Sequence, residues 1–188
     1  MVENLKTEDK NTLLKLARNS IMSRLRGEPT PKPDPKTLSM ELREDGAAFV
    51  TLHMRGTLRG CIGSLSAREP LYQNVINNAL NAAFSDPRFP PVGLTDLDYV
   101  DLEISVLTKP RFIDSLDDFI IGRHGIILSK GVHRAVFLPQ VAPEQGWDME
   151  TTLMHLSLKA GLPPDGWKAE DVRYEVFEAI VFGETEGV

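Results

Sequence analysis

The chain lacks most of what marks a metal-dependent or nucleotide-binding protein at sight. It has one cysteine, Cys61, among 188 residues, so no intramolecular disulfide can form and the fold needs no oxidising compartment. A single thiol cannot ligate an iron–sulfur centre. The four histidines, His53, His124, His133 and His155, stand at no metal-helix spacing, and neither HExxH nor CxxC occurs. No metal site and no cofactor are expected. A glycine-rich phosphate loop with its lysine is absent as well. Lysine and arginine total 21 against 27 acidic residues, a net charge of −6, and no basic block gathers the charge that a phosphate backbone requires. Nucleic acid is therefore not an expected partner. No apolar run approaches the roughly 18–20 residues of a membrane span. The start, MVENLKTEDK, has neither the basic nor the apolar region of a secretory leader. The expected location is the cytoplasm, with no membrane partner.

What is present is ordinary globular material, 41% hydrophobic and 26% charged, enough to bury a core as one domain or as a large lobe with a small one. Leu13, Leu14, Ala17, Ile21 and Leu25 recur at helical spacing between a Thr7 cap and a Gly27 stop. Residues 28–37, with prolines at 29, 31, 33 and 35, read as a stiff extended connector. AAFVTLHM alternates as a strand, and REPLYQNVINNALNAAF is a second helix with Leu71, Val75, Ala79 and Leu80 on one stripe. SDPRFPPV ends it. YVDLEISVLTKP alternates cleanly, GIILSKGVHRAVFLP holds two strands about a Lys130-Gly131 turn, and a third main helix runs from about Met149 to Ala160 behind an Asp148 cap. DVRYEVFEAIVF closes the chain as a last strand. Hairpins mixed with a few helices predict an α+β fold with an antiparallel or mixed sheet flanked by helices.

The lone cysteine sits in LRGCIGSL, residues 58–65. A three-residue hairpin loop, Met54-Arg55-Gly56, sets Leu52 against Leu58, Val50 against Gly60 and Ala48 against Ile62, so the apolar faces agree. A two-residue loop at Arg55-Gly56 would put Arg59 against Leu52 and spoil both patterns. In the first register Arg59 and Cys61 share a face, roughly 7 Å apart along the strand, and His53 is close on the neighbouring strand. A guanidinium at that range favours a thiolate, and Gly60 and Gly63 clear space for a ligand. The residues equally allow a small buried side chain where a helix crosses the sheet. Both readings of Cys61 stand.

Four further residues are candidates. Arg88, in DPRFPP, can clamp a carboxylate or phosphate, or pair with Asp86 to hold the turn. Glu103 can serve as a base beside Cys61 if their strands are neighbours. Gln140 and Glu144, in the irregular stretch LPQVAPEQGWD, can bind a substrate or partner, while Trp147 ahead of Asp148 reads as a hydrophobic staple.

Several segments in order, LRGCIGSL, AAFSDPRFPPV, DLEISVL, FLPQVAPEQGW and LKAGLPPDGW, resemble the AMMECR family, whose bacterial and archaeal members are also called AmmeMemoRadiSam system protein A. The resemblance implies a two-lobed α+β fold with a smaller second lobe, residues 1–188 forming one such domain, and signature segments gathered around a cleft. It implies no particular reaction. Through the system name it links the chain to a MEMO-type protein and a radical-SAM protein. Two functions follow. One is a component or adaptor acting with those partners. The other is a thiol-dependent enzyme in which Cys61, with Arg59, handles a small anionic substrate and His53 or Glu103 moves protons.

Overall fold

The computed structural model describes residues 5–184. The fold is α+β, as expected, with two antiparallel sheets in two compact units. The first unit uses residues up to 107 and again from 180, and the second uses residues 108–179.

In the first unit the strands β1 (Ala47–Met54), β2 (Thr57–Gly63), β3 (Val100–Leu107) and β8 (Ala179–Gly183) form a sheet ordered β2-β1-β3-β8. Helices α1 (Thr7–Arg26) and α3 (Leu71–Phe84) pack on one of its faces. The strict alternation of β1 and β3 puts Ala48, Val50, Leu52, Leu102, Ile104 and Val106 into that core, facing Leu13, Ala17 and Ile21 of α1 and Leu71, Val75 and Ala79 of α3. Burying each such side chain contributes about 1.5–3 kcal/mol, which is why the helical and strand periods both point here. Asp9, not Thr7, closes the start of α1. Its carboxylate accepts from the Lys6 N–H at 3.1 Å, and Gly27, at φ 69°, ends the helix in the left-handed conformation. The proline connector is irregular up to a single 3-10 turn at Pro35–Thr37. A short helix, α2 (Met40–Arg43), follows it.

In the second unit β4 (Arg111–Ile113), β5 (Gly125–Lys130), β6 (His133–Phe137) and β7 (Arg173–Phe177) form a sheet ordered β4-β7-β5-β6. Ile126, Leu128, Phe137 and Val176 meet Leu153 and Leu156 of α5 (Met149–Lys159). Asp148 caps α5 as expected, accepting from Thr151 N–H at 2.8 Å.

Two further expectations require correction. The stretch 138–148 is not wholly irregular, because α4 (Val141–Gln145) winds one turn and closes on Gly146 at φ 66°. The closing segment is not one strand. It breaks at Glu178, leaving β7 in the second sheet and β8 in the first. There the Thr108 N–H donates to the Glu178 carbonyl at 2.9 Å and the Glu178 N–H to Thr108 Oγ1 at 2.8 Å.

Candidate functional site

The hairpin that carries Cys61 is built differently from the expected one. Arg55 and Gly56 form a two-residue turn with φ 52° and 78°, the primed turn whose twist matches the strands it joins. Met54 faces Thr57 and His53 faces Leu58, but Leu52 faces Gly60, so Arg59 is an extra residue bulged out of β2. The bulge absorbs the one-residue offset that argued against the short turn. Beyond it Val50 faces Ile62 and Thr51 faces Cys61. The faces therefore come out as expected for Cys61 and Ile62, by another route.

The bulge redirects Arg59. Only 9% exposed, its guanidinium donates to the carbonyls of Pro90 at 2.6 Å and Pro91 at 3.2 Å and lies 3.6 Å from the Asp96 carboxylate. Arg59 makes no hydrogen bond or ion pair to Cys61 among the described residues, so the expected Arg59–Cys61 charge partnership is not what the geometry provides. Arg88 stands there instead. The Asp86 carboxylate, 4% exposed, accepts from Cys61 N–H at 2.9 Å, from Arg88 N–H at 3.1 Å and from the Arg88 guanidinium at 3.0 and 2.7 Å. The same guanidinium donates to the Cys61 carbonyl at 3.2 Å. The Arg88 hydrogen bond, followed by the two backbone N–H groups, holds the Asp86 carboxyl well below the usual carboxylate range against the opposing effect of burial. Asp86, and to a smaller degree the Cys61 sulfur, holds the Arg88 guanidinium protonated above its ordinary range.

Because the Cys61 N–H and C=O both point outward to this pair, Cys61 and Thr51 form the close, non-hydrogen-bonded type of antiparallel pair. Thr51 Oγ1 donates to Cys61 Sγ at 3.3 Å. The sulfur is half-buried on the sheet face opposite the helices. Glu103 faces Thr51 from β3, so it shares that face but stands two strands from Cys61, roughly 10 Å across the sheet. The strands of Cys61 and Glu103 are not neighbours, which removes the condition for Glu103 as its base. His53 lies on the same face two residues along β1 from Thr51. Gly60 and Gly63 are not vacant space. A Cβ on Gly60 would collide with the Ala82 carbonyl oxygen of α3, and one on Gly63 with the Phe49 ring. Gln140 and Glu144 belong to the second unit, Gln140 at the start of α4 and Glu144 the fourth of its five residues. Trp147 stacks on His155 with ring centroids 4.1 Å apart and packs in that unit's core.

One feature escaped the sequence reading. In the first unit a cavity of about 580 Å³ opens over α3, lined by Glu69, Arg68 and several asparagines of that helix. The available signal was Asn74, Asn77, Asn78 and Asn81 at one helical spacing.

The AMMECR1 family model matches residues 14–182. The chain belongs to the AMMECR1 family. Protein MJ0810 of Methanocaldococcus jannaschii is 46% identical over a stretch covering 76% of this chain and 75% of that protein. Protein MK0488 of Methanopyrus kandleri is 40% identical, covering 99% and 93%. The crystal structure of the uncharacterized protein PH0010 from Pyrococcus horikoshii superposes with a TM-score of 0.86 at 39% identity, covering 96% of this chain and 93% of that one. This AMMECR1 chain thus shares its fold over nearly its whole length with a solved relative. No described helix is long and apolar enough to cross a membrane.

Proposed function

We propose that this AMMECR1-family chain is a non-catalytic, cytoplasmic component that binds partner proteins, residues 1–188 serving as one domain. A MEMO-type protein and a radical-SAM protein are the partners its resemblance implies. The observation that carries this reading is the commitment of Arg59 to the Pro90 and Pro91 carbonyls. The one cation that the motif itself supplies is used to hold the fold, and the motif's glycines are filled by Ala82 and Phe49. What is left over is a half-buried face with Phe49, Thr51, His53, Cys61 and Glu103, mixed apolar and polar as transient interfaces are.

A second reading keeps thiol chemistry, with Arg88 in the role first given to Arg59. It is favoured by one contact, the Arg88 guanidinium against the Cys61 carbonyl, and by the 54% exposure of that side chain. Size-exclusion chromatography of the full chain with the purified MEMO-type and radical-SAM proteins from the same genome separates the two. Co-elution that survives Cys61→Ala supports the adaptor. Absence of co-elution, with Cys61 alkylated at neutral pH much faster than free cysteine, supports the enzyme.

A further inference from the structure

Asparagine is a poor residue for helix interiors, because its amide competes for backbone groups. Helix α3 nevertheless carries Asn74, Asn77, Asn78 and Asn81 at i, i+3, i+4 and i+7, a single stripe. Asn74 is 3% exposed and Asn78 5%. Their bonds fix which amide atom is which. The Ala48 N–H donates at 3.0 Å to Asn74 Oδ1, which must therefore be the oxygen. Asn78 meets that same oxygen at 3.0 Å and the Ala48 carbonyl at 3.1 Å. Both are acceptors, so Asn78 presents its Nδ2 to them. Its Oδ1 is left without a donor among the described residues. That oxygen is not sealed in the core; it is the part of an otherwise buried side chain that reaches the cavity, where water or a ligand has to supply its donor.

Asn78 lines the cavity of about 580 Å³, together with Ser66, Arg68, Glu69, Asn77 and Asn81, within the size range of small-molecule sites. Glu69 is held in place from the helix. Asn74 Nδ2 donates to one carboxylate oxygen at 3.0 Å and Asn77 Nδ2 to the other at 2.9 Å. Gln73 Nε2 in turn donates to Asn77 Oδ1 at 3.1 Å. Arg68 and Asn81 are exposed, and their side chains bond to no described residue. The cavity therefore offers acceptors at Asn78 Oδ1 and Glu69 and donors at Arg68 and Asn81, with one charge of each sign.

We propose that this cavity binds a small zwitterion, an α-ammonium with a carboxylate, as in a free amino acid or a short peptide. The ammonium supplies three donors, which Asn78 Oδ1 and Glu69 accept; the carboxylate takes the Arg68 fork and the Asn81 amide. An anion alone meets Glu69, and a cation alone meets Arg68. An apolar ligand leaves the Asn78 oxygen unpaired. This site is separate from the Cys61 face and does not depend on the partner-binding reading.

The test is a titration of the full chain with L-alanine and, separately, L-alanyl-L-alanine, read in 1H–15N correlation spectra at the side-chain amides of Asn77, Asn78 and Asn81. Saturable shifts at these amides with either probe support the site, and which probe binds distinguishes the amino acid from the peptide. N-acetyl-L-alanine, which has no ammonium, is expected to leave the amides unmoved. Arg68→Ala, an exposed change whose otherwise unaltered spectrum reports an intact fold, is expected to weaken binding about tenfold. No shift up to roughly 20 mM of either probe, well above a millimolar affinity, overturns the proposal. So does equal binding of the acetylated probe, or unweakened binding by Arg68→Ala.

Discussion

Asp86 is where the fold around Cys61 is most exposed to a single change. Asp86→Ala removes four hydrogen bonds at once. The Arg88 guanidinium is 54% exposed and can return to water, so the ion pair itself is worth only about 0–1 kcal/mol. Asp86 is the acceptor that the Cys61 N–H uses, and leaving that N–H unpaired costs about 1–3 kcal/mol. The expected loss is therefore about 2–3 kcal/mol, read as a shift in the urea unfolding midpoint at unchanged slope. Asp86→Asn keeps one acceptor oxygen and loses the charge assistance, at about 1–2 kcal/mol. The pH dependence gives the sharper check. Arg88 depresses the folded-state pKa of Asp86, so its stabilisation is complete above the unfolded value near about 4 and is lost as pH falls below it. The gap between wild type and Asp86→Asn is thus full at neutral pH and shrinks in acid below that value. If Asp86→Asn is as stable as wild type at neutral pH, or if the gap persists unchanged in acid, the carboxylate brace is not what holds β2.

Three other outcomes are expected. Gly60→Ala sets a Cβ against the Ala82 backbone carbonyl, whereas in Gly63→Ala the obstacle is the Phe49 side chain. Denaturant titration is expected to show a cost of about 2–3 kcal/mol for the first and less for the second, since a ring can shift and a helix carbonyl cannot. Arg59→Ala leaves the Pro90 and Pro91 carbonyls without their donor and is expected to cost about 2–4 kcal/mol in the same assay, with Arg59→Lys recovering part of it. Burial pushes the Tyr174 phenol up to about 12. Its contribution to stability is complete below the ordinary phenol value near about 10 and lost as pH rises through the folded one; a phenolate absorbance titration should show a late step that Tyr174→Phe removes.

The helices α1 and α5 and the strands β1 and β3 were legible from their periods of 3.6 and 2, and β5 and β6 from the apolar runs on either side of the Lys130-Gly131 turn. The hairpin turn was not legible, because a bulge at Arg59 makes a two-residue loop and matched apolar faces compatible, and nothing local announces a bulge. The break at Glu178 was hidden for the opposite reason. Residues 179–182 are apolar like those just before Glu178, so one apolar-rich stretch spans the break, and only the division of the strand between two sheets reveals the change of partner. The part played by Arg59 depends on carbonyls some thirty residues later in the chain, a distance at which sequence spacing carries no information. The asparagine stripe was visible in the sequence. A polar face on a helix is usually just solvated, and only the buried Ala48 contacts separate this one from that default.

The sheet order explains why LRGCIGSL and DPRFPP belong together. β2 is an edge strand, and an unpaired edge is an invitation to pair with another chain. The segment beside it contains Pro87, Pro90 and Pro91, which have no N–H to donate and cannot form a regular ladder. Side chains take the ladder's place. Asp86 accepts from the Cys61 N–H, Arg88 donates to the Cys61 carbonyl, and Arg59 reaches across to the proline carbonyls. The backbone of Cys61 is therefore satisfied on its outer side, and strand addition by a partner is blocked at that point. The brace acts through the main chain and makes no demand on the sulfur. What the sulfur does depends on the face it shares with Thr51, and a partner that engages this motif has to approach by that face rather than along the edge.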